Sequence, residues 1–333
     1  METMQTVWGW QPALYLFLGG VGAGAFIAAG VLVLADREGS RSVAGASMWA
    51  ALGCLGVGLL LLLSELTNPL RGLLLWQSFS NGSSWMTFGA WAALLALVAF
   101  AASALLVTRT TQAFVLKRWP AFAAREHAVC TALVCAGMAL AACVAVYTGM
   151  LLMSVPGVPF WNTLLLPCLF TVSALDTGVA LVEVVSVVLA KREELKPRSR
   201  RLLEGSVVAL VVLEGAVLLL FMQAMLAGNV TSVWSLGSPA AAATMSAQML
   251  TTGSLAPVFW GLLVACGLVV PLAAALVGLV VGRKQEKPSA AVHAITAVGA
   301  IGALAGGCAL RFLVLLAGVH ADLVADSVMR LFS

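Results

Sequence analysis

The sequence predicts an all-α integral membrane protein with eight transmembrane helices and both termini on the outer side. Three observations predict it: an apolar composition, the spacing of uncharged runs, and basic residues confined to alternate connections. Of the 333 residues, 62% are hydrophobic and 10% are charged, whereas a soluble domain carries about 25% charged residues. A soluble protein this apolar has too few polar side chains to cover its own core. The net charge of +4 is small. No basic stripe interleaved with aromatics is present, so nucleic acid is excluded as a partner and membrane lipid is expected.

A spanning helix needs about 20 mostly apolar residues. Uncharged runs supply segments near 12–35, 43–64, 85–107, 128–150, 162–190, 205–227, 256–282 and 291–318. Turn chemistry divides the two longest apolar stretches. Ser154 to Pro159, with Pro156 and Gly157, separates the fourth segment from the fifth. Gly228-Asn229 through Pro257 separates the sixth from the seventh, and a short helix is expected over 240–250. No Lys or Arg precedes the first apolar stretch, which instead follows Glu2. That stretch is therefore expected to be a retained helix rather than a secretory signal.

Orientation follows from the basic residues. Arg37 and Arg41 lie in the first connection. Arg109, Lys117, Arg118 and Arg125 lie in the third. Lys191, Arg192, Lys196, Arg198, Arg200 and Arg201 occupy the fifth, and Arg283, Lys284 and Lys287 the seventh. Only Arg71, Arg311 and Arg330 fall elsewhere. Alternate connections therefore face inward, and an odd number of helices would destroy the alternation.

Several motifs are set aside on physical grounds. Gly19-Gly20-Val21-Gly22-Ala23-Gly24 has nucleotide-binding spacing but lies inside an apolar helix with no preceding strand. Gly20 with Gly24, and Gly302 with Gly306, instead form small faces suited to close helix packing. The seven cysteines all lie in apolar runs, with no Cys-x-x-Cys pair, so they are read as packing residues and no iron–sulfur cluster or metal is expected in this protein. The three histidines, His127, His293 and His320, sit near segment ends. A bis-histidine haem site across the bilayer is therefore not expected. Without such cofactors the protein cannot carry electrons across the membrane, and any electron exchange must occur with a partner at one face.

Ionisable side chains within a bilayer cost at least ~2.5–3.5 kcal/mol each, so each one needs a reason. Two sets emerge. An outer set comprises Glu65 at the end of the second segment, Tyr15 near the start of the first, Tyr147 near the end of the fourth, Trp161 at the start of the fifth, and Arg311 in the outer half of the eighth. A deeper set comprises Asp176, Glu183 and Glu214. Asp176 and Glu183 are seven residues apart, on one helix face and about 10 Å apart along the axis. This ladder suggests a proton path toward the inside. A proton-coupled secondary transporter also uses intramembrane acids, and a non-catalytic anchor is the third reading. No repeat of Gly- or Pro-broken helices supports the transporter.

At these residues the sequence resembles the NrfD/polysulfide reductase membrane-subunit family over nearly its whole length. The likeness rests on Trp10-Gln11-Pro12-Ala13-Leu14-Tyr15, on Ser64-Glu65-Leu66-Thr67-Asn68-Pro69-Leu70-Arg71, and on Ser83-Ser84-Trp85-Met86-Thr87-Phe88-Gly89. It also rests on Tyr147-Thr148-Gly149, Pro159-Phe160-Trp161-Asn162, Leu166-Pro167, and Leu310-Arg311-Phe312. The resemblance implies two four-helix bundles without haem and a quinone site on the outer side, for menaquinone or a related quinone. It implies a four-cluster iron–sulfur subunit docked on that face, joined to a molybdopterin catalytic subunit or a multihaem cytochrome c, in a bacterial or archaeal cytoplasmic membrane. By its motifs it makes Tyr147 a quinone-contacting tyrosine and Glu65 an acid near that site, and these two are expected to be catalytic; Tyr15, Gln11, Asn68, Arg71, Trp161 and Arg311 are the remaining quinone-binding candidates. Where some family members have Asn and His near the start of the first helix, this protein has Trp10 and Gln11. The headgroup contacts are accordingly expected to differ.

Overall fold

The computed structural model describes residues 3–4, 9–65, 85–120, 123–155, 157–190, 195–228, 240–282 and 289–320. Asn68, Arg71 and the side chain of Glu65 lie outside the described residues, as do Lys191, Arg192, Arg283, Lys284 and Lys287.

Eight helices are long and apolar enough to cross a membrane. They are α1 (Trp10–Ala35), α2 (Arg37–Glu65), α3 (Trp85–Val107), α5 (Glu126–Met153), α6 (Leu165–Leu189), α7 (Pro197–Leu226), α9 and α10 (Ala290–Leu316). The helix α9 runs through Ala256–Val258, a π-helical stretch Phe259–Val269, and Val270–Gly282. Two shorter helices intervene: α4 (Arg109–Arg118) in the third connection and α8 (Ala240–Thr251) between α7 and α9. The helical expectation over 240–250 is met by α8, which buries Ala243, Ser246, Ala247 and Leu250. Large apolar side chains such as Leu60, Val98, Leu219 and Val280 point outward and are more than half exposed. Helices that are apolar all round need an apolar surrounding.

Two boundaries differ from the sequence reading because charged residues are accommodated inside helices. The second span begins at Arg37, immediately after Asp36, not near 43. The Asp36 carboxylate accepts the Gly39 amide at 3.1 Å and caps the new helix. The sixth span begins at Pro197, not near 205, with proline in the first turn where its missing N–H is harmless. Arg198, Arg200, Arg201 and Glu204 are thus helical.

Charged and polar contacts show which helix ends lie together. Arg41 Nε donates to the Val107 carbonyl at 2.8 Å, placing the end of α3 beside the start of α2 and satisfying an orphan carbonyl there. Arg41 also bonds Gln112 of α4. Arg37 pairs with Glu126 at 2.5 Å and contacts His127, bringing in the start of α5. Lys196 reaches Asp36 at 3.0 Å, bringing in the start of α7. These residues define a basic end. Lys196, assisted by the Gly39 amide, holds the Asp36 carboxyl below its usual range. At the opposite end, Thr3–Met4 (β1) pairs antiparallel with Val319–His320 (β2), so residues preceding α1 and following α10 share one face.

Neighbouring spans pack in sequence, and α1 also packs against α5, α6 and α10. The α1–α6 crossing is tight. A Cβ at Gly24 would lie 1.9 Å from the Ala174 carbonyl oxygen, and one at Gly178 would lie 2.1 Å from the Gly24 carbonyl carbon. The small face read from Gly20 and Gly24 is therefore a packing face. The second small face meets α9, where a Cβ at Gly306 would lie 2.2 Å from the Gly267 Cα. The π-helical stretch around Gly267 runs directly into Pro271, whose ring cannot tolerate the carbonyl four residues back in an α-helix. The wider turn relieves that conflict.

Candidate functional site

Opposite the basic end, the first turns of α1 and α3 meet the last turns of α2 and α5. Gln11 and Tyr15 of α1 are half-buried there, and the Tyr15 carbonyl faces α2 at Gly58. Glu65 is the last residue of α2. Tyr147, six residues before the end of α5, is half-buried, and its ring lies against Gly89 of α3. A Cβ at Gly89 would lie 1.9 Å from the Tyr147 Cζ. Only glycine leaves room for the ring in this position. In sequence, Gly89 is no more than one member of a family motif. Its role as a seat for Tyr147 depends on a contact between helices that no local pattern reveals.

Trp161 is fully buried, and its indole N–H donates to the Val314 carbonyl at 2.8 Å. Asn162 donates to the Met153 carbonyl at 2.7 Å and closes the end of α5. These two residues tie the α5–α6 connection to the last turns of α5 and α10.

Arg311 is also fully buried, and the structure joins it to the deeper acids. Its Nη1 donates to Ser173 Oγ and, at 3.0 Å, to the Gly307 carbonyl, while Nη2 donates to the Phe170 carbonyl at 3.2 Å. The guanidinium carbon lies 5.0 Å from the centre of the Phe170 ring. Ser173 also lies beside the Glu214 carboxyl group. Asp176, 1% exposed, lies within Coulombic reach of Glu214, Glu183 and Arg311. Its Oδ1 has no hydrogen-bond partner among the described residues. The two sets inferred from sequence are thus linked by Ser173 and Arg311, which carry α6, α7 and α10 into one buried polar centre. A buried cation satisfied by carbonyls and facing acids is the arrangement a low-dielectric interior requires.

Glu183 lies toward the basic end, 6% exposed, beside a second cluster that the sequence reading missed. There Arg200 Nε is 3.8 Å from Glu204 Oε1. Starting the sixth span near 205 left both residues in a connection. The i, i+4 spacing of Arg200 and Glu204 is the signal that would have placed them on one helix face.

An eight-span helical protein with buried ionisable groups in its core, tyrosines at one end and cations at the other is a multi-pass membrane protein. The family described as polysulphide reductase, NrfD, matches residues 1–321. The polysulfide reductase C subunit of Wolinella succinogenes is 30% identical over 326 residues, spanning 94% of each of the two sequences. The protein belongs to the NrfD polysulphide reductase family.

Proposed function

We propose that the protein is the quinol-oxidising membrane subunit of a respiratory oxidoreductase in a bacterial or archaeal cytoplasmic membrane. The basic end is then the inner side, both termini lie outside, and the spans form two four-helix bundles, α1, α2, α3 and α5 in one and the remaining four in the other. The pairwise packing of the helices and the basic residues gathered at one end support this arrangement. Menaquinol or a related quinol binds among the outer ends of α1, α2, α3 and α5. Tyr147 bonds a headgroup oxygen, and Glu65, aided by Tyr15, accepts a proton. Gln11, Asn68 and Arg71 border the headgroup. Each quinol becomes quinone, releasing two protons and two electrons, and the electrons pass to a four-cluster iron–sulfur subunit on the outer face. A molybdopterin subunit or multihaem cytochrome c completes the path; quinone reduction runs it in reverse. The relative's description as one component of a reductase supports dependence on other subunits.

The observation that carries this reading is the tyrosine seat: Gly89 makes room for the Tyr147 ring at the helix end where Tyr15 and the last residue of α2 also lie. General acid–base assistance requires such groups within hydrogen-bond reach of the transferred proton. Asp176, Glu214 and Glu183 extend from the buried centre toward the inner side as the proton path. The test is quinol-dependent reduction of the partner's clusters in a Glu65→Gln, Tyr147→Phe double variant. A loss of on the order of 10²-fold or more is expected, and wild-type rates overturn the site assignment.

A further inference from the structure

At the basic end, a cavity with a volume of about 40 Å³ lies between α6, α7 and α10. Its polar lining is Glu183 and Ser186 of α6, Arg200 and Glu204 of α7, and His293 and Thr296 of α10. Glu204 is 3% exposed, and its Oε2 has no hydrogen-bond partner among the described residues. Its other oxygen lies toward Arg200 and packs on α9 at Gly278, where a Cβ would come within 2.7 Å of it. Arg201 is within Coulombic reach of the same carboxylate. His293 and Thr296 are half-buried and Arg200 is in the first turn of its helix, whereas Glu183 is six residues from the end of α6. That spacing puts Glu183 about 9 Å inside the helix end.

Polar walls of both signs around a space this size are what internal water requires. One water needs about 10–15 Å³ of such volume and two to four polar partners, so the cavity has room for roughly three or four. An apolar cavity would stay dry, but this one is mixed: Val187, Leu195 and Val292 line it together with two acids, an arginine, a histidine, a serine and a threonine. We infer that this cavity is a hydrated port through which the Glu183 carboxyl exchanges its proton with the aqueous phase at the basic end. A carboxylic acid at Glu183 gives its proton to a cavity water, which passes it past Glu204 and His293 to the aqueous phase at the basic end; uptake reverses the order. The use of those protons in quinol chemistry rests on the proposed function, whereas the exchange itself does not.

Two measurements test the port, and neither needs quinol. In radiolytic footprinting of the purified protein, hydroxyl radicals form from water beside the side chain they oxidise. Val292 lines the cavity and is 5% exposed, while Val182 is fully buried outside it. Val292 is expected to oxidise on the order of tenfold faster than Val182 if the cavity holds water. Equal rates overturn the port, and this comparison needs no variant. The second measurement is infrared spectroscopy of a carboxyl band identified by its disappearance in Glu183→Gln. Transfer to D2O is expected to shift that band, and Thr296→Leu, which fills the cavity, to slow the shift by on the order of tenfold. The absence of such a band at every pH, or an unchanged rate in Thr296→Leu, overturns the proton-exchange role. Failure of the quinol site would leave both results intact.

Discussion

Replacing Arg311 with Met tests whether this cation is an internal counter-charge. Arg311 makes hydrogen bonds to Ser173, Gly307 and Phe170. Hydrogen bonds within a membrane are worth about 0.6 kcal/mol each on average and up to ~1.7, so losing three costs about 2 kcal/mol or more. Glu214 and Asp176 also lose a cation within Coulombic reach. An unpaired buried charge costs about 3–5 kcal/mol, a ceiling here because a carboxylate can protonate instead. Removing the cation relieves its own desolvation, about 2.5–3.5 kcal/mol on insertion scales. Most of that relief is also available to the unfolded protein in detergent, where the side chain reaches water. Hydrogen-bond and counter-charge losses therefore win, and Arg311→Met is expected to destabilise by about 2–4 kcal/mol. The diagnostic quantity is the coupling with Glu214→Gln. In that background the carboxylate is gone, and the loss on removing Arg311 should shrink by about 1–3 kcal/mol. Equilibrium unfolding of the detergent-solubilised protein by SDS titration measures all four corners of the cycle. Additivity within about 0.5 kcal/mol, or a stabilising Arg311→Met, refutes the counter-charge reasoning.

Gly89→Ala places a methyl group where the Tyr147 ring sits and should displace the ring. On the proposed function it lowers quinol oxidation by on the order of tenfold or more, measured as stopped-flow reduction of the partner's clusters; an unchanged rate removes Tyr147 from the site. Gly178→Val meets backbone atoms of α1 rather than a movable side chain. It should destabilise by about 1–3 kcal/mol, and thermal unfolding at wild-type values would show that the α1–α6 crossing is not close. Asp36 titrates below its usual range because Lys196 and the Gly39 amide bond its carboxylate. A depressed folded-state value contributes stability above the unfolded pKa of about 3.9 and loses it as pH falls through the lower folded value. Asp36→Asn should therefore lower the thermal midpoint at neutral pH, and the difference from wild type should close at acid pH. A gap that persists at low pH would show that the carboxylate charge contributes nothing.

The spans were legible in the sequence because uncharged length and one-sided cations are local properties. Their ends were less so where charge enters a helix. Arg37 and Arg41 looked like connection residues, yet an aspartate cap and a cation-to-carbonyl bond hold them in α2. The same bias hid Arg200 and Glu204. For the candidate site, depth was legible but partnership was not. Position along α10 puts Arg311 with the outer set, while its direction around the helix, toward Ser173 and Phe170, depends on how α6 and α10 cross. Gly24 and Gly178 show the same limit: the small face was visible on α1, but its partner on α6 lies 154 residues away in sequence.

The link through Arg311 bears on how the two ends of the proposed machine communicate. Arg311 is five residues from the end of α10, roughly 8 Å along the axis. A unit charge that appears or leaves about 10 Å away changes the energy of a fixed cation by roughly 1.7 kcal/mol at an effective dielectric of 20. That is slightly more than a tenfold change in an equilibrium. Glu214 and Asp176 lie within reach of the same cation. On the proposed function, a proton taken up at the outer end would change the field at Glu214 and Asp176 directly, while Arg311, whose charge is fixed, lowers the cost of keeping either acid ionised, without any large movement of helices. The tight α1–α6 crossing favours this electrostatic route over a mechanical one, because backbones in contact at Gly24 and Gly178 leave no space to slide. On the proposed function, the buried arginine would serve as a fixed counter-charge for the acids of the proton path rather than as a carrier of charge between the two ends.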